Sequence, residues 1–338
     1  MNGKQKALVL GATGGIGGEV ARQLRERGWT VRAMKRGLDA AARNREGLEW
    51  VEGNALVSSD VCAAAEGCDV IVHAVNPPGY RRWSELVLPM IDNTIAAARA
   101  RRATVILPGT VYNFGPDAFP MVTEDAAQNP VTRKGAIRVQ LEQRLQAAAA
   151  HGEIQAIILR AGDFFGPKAG NSWVSQAMVK PGQPVRMVQL PGKPGTGHQF
   201  AYLPDVAHTM AALIERRREL PPFARFHMAG HWDADGTTMA RTIQRVAHRR
   251  GLPMPKVKPF PWWMVRLASP FVTTLRELLE MRYLWQQEVR MVNDKLVAFL
   301  GHEPHTPWDD AVEASLRGMG CLPSAARACA ICEPAEGR

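Results

Sequence analysis

The sequence predicts an α/β protein: a doubly wound parallel sheet with helices on both faces, and a smaller, mostly C-terminal substrate domain. Three observations predict it. A strand-like run at 5–10 passes through a glycine-rich turn into an amphipathic helix and a second strand. Apolar strand-like runs then alternate with helical ones to residue 159, the rhythm of right-handed βαβ crossovers. Past residue 165 that rhythm gives way to Pro/Gly-rich stretches and aromatic helical segments.

The first strand, Gln5-Lys6-Ala7-Leu8-Val9-Leu10, runs into Gly11-Ala12-Thr13-Gly14-Gly15-Ile16-Gly17. Ile16, Val20 and Leu24 then fall at i, i+4 and i+8, one stripe of a helix. Gly11 permits a tight exit from the strand, Gly14 lets a phosphate approach the backbone, and Gly17 lets helix and strand pack closely. The start of that helix offers unpaired N–H groups and a partial positive charge, which suits the pyrophosphate of a dinucleotide.

Thr30–Met34 and Leu48–Asn54 read as the second and third strands, and Ser58–Glu66 as a short helix opening on Ser and Asp. Asp69–Val75 is apolar nearly throughout and reads as central; Pro77-Pro78-Gly79 ends it. A helix at Trp83–Arg101, a strand at Ala103–Leu107 and a loop at Pro108–Pro130 follow. Arg133–Ala150 reads as a helix with Ile137, Leu141 and Leu145 on one face, and Ile154–Leu159 as the sixth strand. These elements assign 1–165 to a dinucleotide-binding domain, with 198–220 returning to it. Residues 166–197 and 221–320 form the substrate domain, in which Phe226–Ala229 and a helix at Thr237–Arg249 begin a smaller unit. Pro261–Arg290, with Trp262, Trp263, Phe271 and Trp285, suits ordinary helix packing, an apolar pocket or a homodimer face. Residues 321–338 read as a flexible tail.

Apolar residues make up 46% and charged residues 22%, the proportions of a soluble globular protein. No apolar run approaches the roughly 18 residues of a membrane span, so no membrane partner is expected. No charged-then-apolar leader precedes Leu8, which points to the cytoplasm. The net charge of +10 favours anionic ligands: a dinucleotide, or a phosphorylated or carboxylated small-molecule substrate. The basic residues are scattered without interleaved aromatics, so no nucleic-acid partner is expected. Cys329 and Cys332 have C-x-x-C spacing with Cys321 upstream, but no fourth ligand lies near, and no metal is expected.

Four segments resemble the extended short-chain dehydrogenase/reductase superfamily, of the NAD-dependent epimerase/dehydratase type. They are the Gly11–Gly17 loop, Val70–Ala74, Leu159–Pro167 and Phe200–Ala207. The resemblance implies a Rossmann fold, an NAD(P) cofactor, and a role as oxidoreductase or epimerase/dehydratase. In such proteins an acidic residue after the second strand selects NAD. Here Lys35-Arg36 follow Met34, with no acid before Asp39, which suits the 2′-phosphate of NADP. Thr13, Gly14, Gly15 and Ile16 would then cover the phosphates, Asn54 would meet the adenine, and Ala74 and Val75 would face the dinucleotide.

The catalytic helix departs from the family pattern. Thr110, five residues before Gly115, matches the Ser/Thr that orients substrate. The family then uses Tyr-x-x-x-Lys, with a glutamate commonly four residues after the lysine. Counting back from Glu142 puts Arg138 at the lysine position and Lys134 at the tyrosine position, and no tyrosine lies between Tyr112 and Tyr202. Three readings stay open. Lys134 carries the proton, its pKa lowered by Arg138 or by burial; or Tyr112 reaches the same spot; or Lys134 and Arg138 are solvated charges paired with Glu142 and the chain is a non-catalytic NADP-binding redox sensor or regulator. Arg138 would also bond the cofactor ribose. Arg81 and Arg82 could clamp an anionic group.

Overall fold

The computed structural model describes residues 4–38, 45–77, 82–170 and 172–323. Asp39, Pro78, Gly79, Arg81, Cys329 and Cys332 lie outside the described residues.

The chain opens with β1 (Lys6–Leu10), α1 (Gly15–Glu26), β2 (Thr30–Lys35), β3 (Glu49–Glu52), α2 (Ser58–Ala64), β4 (Val70–His73), α3 (Trp83–Arg101) and β5 (Thr104–Thr110). It continues through β6 (Met121–Val122), α4 (Arg133–Ala150), β7 (Gln155–Ala161), β8 (Asp163–Phe165), β9 (Met187–Leu190), β10 (His198–Tyr202), α5 (Leu203–Glu215) and β11 (Phe223–His227). The last part holds β12 (His231–Asp233), α6 (Thr238–Arg249), β13 (Lys256–Pro259), α7 (Trp262–Ala268), α8 (Thr273–Glu280), β14 (Arg290–Met291), α9 (Asp294–Leu300) and α10 (Trp308–Gly318).

Seven strands form one parallel sheet in the order β11-β7-β5-β4-β1-β2-β3. Its strands bury both faces. In β1, Ala7 and Val9 pack beneath α1 and α5 with Val20, Leu24 and Met210. Leu8 and Leu10 point the other way, into a layer with Ile71, Ile91 and Leu141 beneath α3 and α4. Period-two alternation with both faces covered is why the strands read as continuous apolar runs. A third core, holding Phe165, Trp173, Phe200, Ile243 and Trp285, unites the later elements. The order reverses between β1 and β4, and ligands of such sheets bind in the crevice at that point.

Two elements differ from the sequence reading. Phe226–Ala229 does not begin the smaller unit: Phe226 and His227 end a strand, Phe223–His227, that pairs with β7 from Phe223↔Ala156 to His227↔Arg160 and supplies the seventh strand. Ala224 and Phe226 are buried in the main core, which fixes the strand there. The fifth strand runs beyond Leu107 to Thr110, despite Pro108-Gly109. Its ladder with β4 ends at Ile106, so the N–H that Pro108 lacks is not needed on that side. A Cβ on Gly109 would lie 2.5 Å from Cγ of Arg160, so a glycine lets the two strands continue together. No helix among the described residues is long and apolar enough to cross a membrane.

Candidate active site

A cleft of about 1020 Å³ runs from Met34, Lys35 and Arg36 past the glycine loop to Glu277, Leu278 and Met281. Thr13, Gly14, Gly15, Ile16, Asn54, Ala74, Val75, Thr110, Tyr112, Lys134 and Arg138 all line it. Gly17 does not; it is buried beneath the loop.

At one end the backbone dictates the shape. Gly11 has φ +90°, and a Cβ there would sit 2.5 Å from the carbonyl oxygen of Ala74. A Cβ on Gly17 would sit 2.3 Å from the oxygen of Gly11. Only glycine allows β1, β4 and α1 to meet this closely. At Gly14, by contrast, a Cβ would meet only the Gly11 oxygen, at 3.3 Å; the rest of that space is the cleft. The Gly14 N–H donates to Gly11 O (2.9 Å), and Gly18 N–H donates to Gly14 O (2.9 Å), so the loop turns directly into the positive end of α1. This cradle fits a pyrophosphate. Lys35 lies over the Trp50 ring at 5.9 Å, and Arg36 is exposed beside it. Asn54 Oδ1 accepts from Leu56 N–H (3.1 Å) and Asn54 N–H donates to Asp60 (2.9 Å), which fixes the turn after β3. Under this end, His73 Nδ1 meets the Thr94 hydroxyl at 2.8 Å; burial, then the Arg138 charge, pushes its pKa down to about 3. The imidazole therefore stays neutral.

The other end is built from side chains far apart in sequence. Thr110 closes β5, and its hydroxyl accepts from Tyr112 N–H (3.3 Å). The Tyr112 hydroxyl donates to Asp163 (3.4 Å), whose second oxygen meets His198 Nε2 at 2.8 Å. The His198 ring stacks on Trp285, centroids 3.6 Å apart. Thr132 caps α4 by accepting from Gly135 N–H (3.0 Å). A Cβ on Gly135 would lie 2.3 Å from Tyr112 O, so helix and turn are in direct contact.

Lys134 is only 3% exposed. Its ammonium donates to the carbonyl oxygen of Glu277 and pairs with that residue's carboxylate, both at 3.0 Å. Burial lowers its pKa, while Glu277 and then Glu280 oppose the shift. The Arg133 charge adds to the lowering. Arg138, 7% exposed, lies 5.2 Å over the Trp83 ring. The reading of Lys134 and Arg138 as solvated partners of Glu142 is therefore wrong. Glu142 is itself buried and bonds Arg160, with Nε–Oε1 at 3.1 Å. A charged residue on a helix is buried here because the sheet supplies it a partner.

Residues 7–229 match the NAD dependent epimerase/dehydratase family. The chain belongs to that family. This epimerase/dehydratase-family protein is an enzyme of the NAD-dependent oxidoreductase/epimerase type. It is similar to the 3-diazoavenalumate denitrifying reductase of a Streptomyces species, 28% identical over 91% of this chain and 99% of the relative. Among solved structures it resembles UDP-glucose 4-epimerase from Brucella ovis in complex with NAD, with TM-score 0.70, 16% identity, and 94% and 98% of the two chains covered. It also resembles UDP-N-acetylglucosamine 4-epimerase from Bacillus cereus, with TM-score 0.68, 14% identity, and 95% and 99% covered. Those two likenesses show the fold.

Sequence reasoning missed Asp163, Trp173 and Glu277, which line the cleft, and His198, which holds Asp163 from behind. Asp163 lies inside the Leu159–Pro167 segment, so a signal for it was present. Glu277 stands 143 residues from Lys134, and no local pattern joins them.

Proposed function

We propose that this epimerase/dehydratase-family protein is an NADPH-dependent reductase of a small electrophile. The reading rests on Lys134, a buried lysine paired with Glu277 in the wall of the cleft that also holds the glycine loop. In this reading Gly14, Gly15 and the start of α1 hold the pyrophosphate, Lys35 and Arg36 hold the 2′-phosphate, and Arg138 bonds the nicotinamide ribose. A reduced nicotinamide supplies hydride when bound. Thr110 and Tyr112 orient the acceptor, with Asp163 fixing the Tyr112 ring. Lys134 delivers the proton, and Glu277 holds the ammonium in place.

The substrate class follows from what one hydride and one proton accomplish. A carbonyl carbon takes the hydride and its oxygen the proton. In a ring whose diazo carbon stands beside an oxo group, the diazo carbon takes the hydride and the oxygen the proton; one C–H and one O–H bond form, the C–N bond breaks and dinitrogen leaves. The Streptomyces relative is named for reduction of a diazo compound and aligns over nearly its whole length, which favours this class over sugar nucleotides.

The test is NADPH oxidation by the purified chain with aryl diazo compounds, aromatic carbonyl compounds and UDP-sugars. Consumption with either of the first two, with dinitrogen released from the diazo compounds, supports the reading. Epimerisation of a UDP-sugar without net NADPH consumption overturns it in favour of an epimerase. Tight NADPH binding with no turnover of any substrate class overturns it in favour of a redox sensor.

A further inference from the structure

The segment from β13 to α8 shows water an unusual surface. Trp263, Met264 and Leu267 are 66, 52 and 69% exposed and lie on one face of α7; Phe271 and Val272 follow at 88 and 43%. Val265 is the buried residue of that helix, and Trp262 turns inward, 6.1 Å from the Trp173 ring that lines the cleft. Scattered apolar residues on a surface are ordinary, but five in ten consecutive positions form a patch. The sequence that carries it has charge of one sign. From Met254 to Arg276 the sequence holds Lys256, Lys258, Arg266 and Arg276 and no acidic residue. All four are exposed, and none has an ion-pair partner among the described residues.

We propose that this face docks the protein onto an anionic lipid surface. The apolar side chains of α7 and the turn after it enter the headgroup layer, and the four cations meet lipid phosphates. Aromatic and aliphatic side chains on one face, with lysine and arginine around them, are the elements of interfacial membrane binding. A second copy of the chain fits less well. A two-fold interface would bring together two copies of a segment whose charges are all positive, with no acidic residue from Met254 to Arg276 to offset them. The helix pair is too short to span a bilayer, so the contact is peripheral. This inference is independent of the reductase reading, since it uses no cleft residue as a binding group.

Co-sedimentation of the full chain with vesicles tests it. One preparation is an equimolar mixture of phosphatidylglycerol and phosphatidylcholine; the other is phosphatidylcholine alone. The chain should sediment with the first and bind the second at least about tenfold more weakly, and added salt should release it. The double variant L267Q/F271S should lose at least about tenfold in partitioning. Its unchanged melting temperature would show that the fold is intact. K258E/R266E should remove the salt-sensitive part of binding. Failure of the wild-type chain to sediment with the anionic vesicles overturns the proposal, as does equal partitioning of L267Q/F271S. A dimer in sedimentation velocity that L267Q/F271S abolishes, with no vesicle binding, assigns the face to a second copy instead.

Discussion

The two ends of the cleft are made in different ways. The glycine end is set by backbone: Gly11, Gly14 and Gly17 hold it by what they lack, against one another and against Ala74 at the end of β4. The Lys134 end is set by side chains brought from elements far apart: α4, α8, the Tyr112 turn and β8. The first end tolerates no added volume at Gly11 or Gly17; the second tolerates no lost partner. One end is therefore made by close approach of backbone, and the other by side-chain partners that only the completed fold supplies.

Substitutions at the two ends should separate binding from turnover. The largest effect is expected at Lys134. Lys134→Met should lower kcat by about 10²–10⁴-fold, the usual worth of a positioned proton donor, and leave the NADPH Kd nearly unchanged. If Lys134→Met keeps full activity and Tyr112→Phe loses it, the tyrosine is the acid and the contrast between the ends must be redrawn. Arg138→Met should instead weaken cofactor binding. The rate should also show a basic limb. A proton donor must be protonated, so activity falls as pH rises through the Lys134 pKa; that limb should lie below the ordinary lysine value of about 10.4, because burial lowers it.

Gly14→Val should weaken dinucleotide binding by at least about tenfold, the scale of lost charge-assisted bonds, while the chain still folds. Gly17→Ala should destabilise the fold itself, because its Cβ has no space. Calorimetry paired with thermal melting distinguishes the two. A Gly14→Val variant that binds with unchanged affinity would show that the loop is not the site.

Arg36→Asp should narrow or reverse the preference for NADPH over NADH. Wild-type preference should be at least about tenfold, from charge-assisted bonds of roughly 1.5–3 kcal/mol each. Equal dissociation constants for the two cofactors in the wild-type chain would remove the argument from Lys35 and Arg36.

Acid should act on stability rather than on binding or turnover. His73 lies under the glycine end and His227 behind the other; burial holds both near a pKa of about 3. Below the ordinary histidine value of about 6.5 the unfolded chain takes protons that the folded chain refuses. Stability should therefore fall as pH drops from about 6.5 toward 3, by about 1.4 kcal/mol per pH unit for each histidine. Denaturant midpoints across that range check this, and His227→Asn should flatten the slope.

This contrast also explains how much was legible. The βαβ rhythm and the glycine positions are local patterns, so the fold and the loop can be read from the amino-acid order alone. Lys134 and Arg138 could be placed on the helix by counting from Glu142, but their burial could not. Burial there depends on Glu277 from α8 and on Trp83 from α3. The seventh strand was missed because it reaches the sheet only after a long excursion through β8, β9, β10 and α5. Proline and glycine in β5 read as a stop, and only the partner strand shows why they are tolerated.

That long excursion has a consequence for synthesis. The outer edge of β7 is completed by β11, about 60 residues later in the chain. At usual synthesis rates of about 5–20 residues per second, the edge carrying Ala156 to Arg160 waits for some seconds for its neighbour. During that interval a nascent chain offers an open row of backbone donors and acceptors, the kind of surface on which polypeptides join in the wrong company. The same holds for any fragment cut after residue 220. The sheet's final strand is thus a birth constraint: its edge closes only when residues 223–227 have been made.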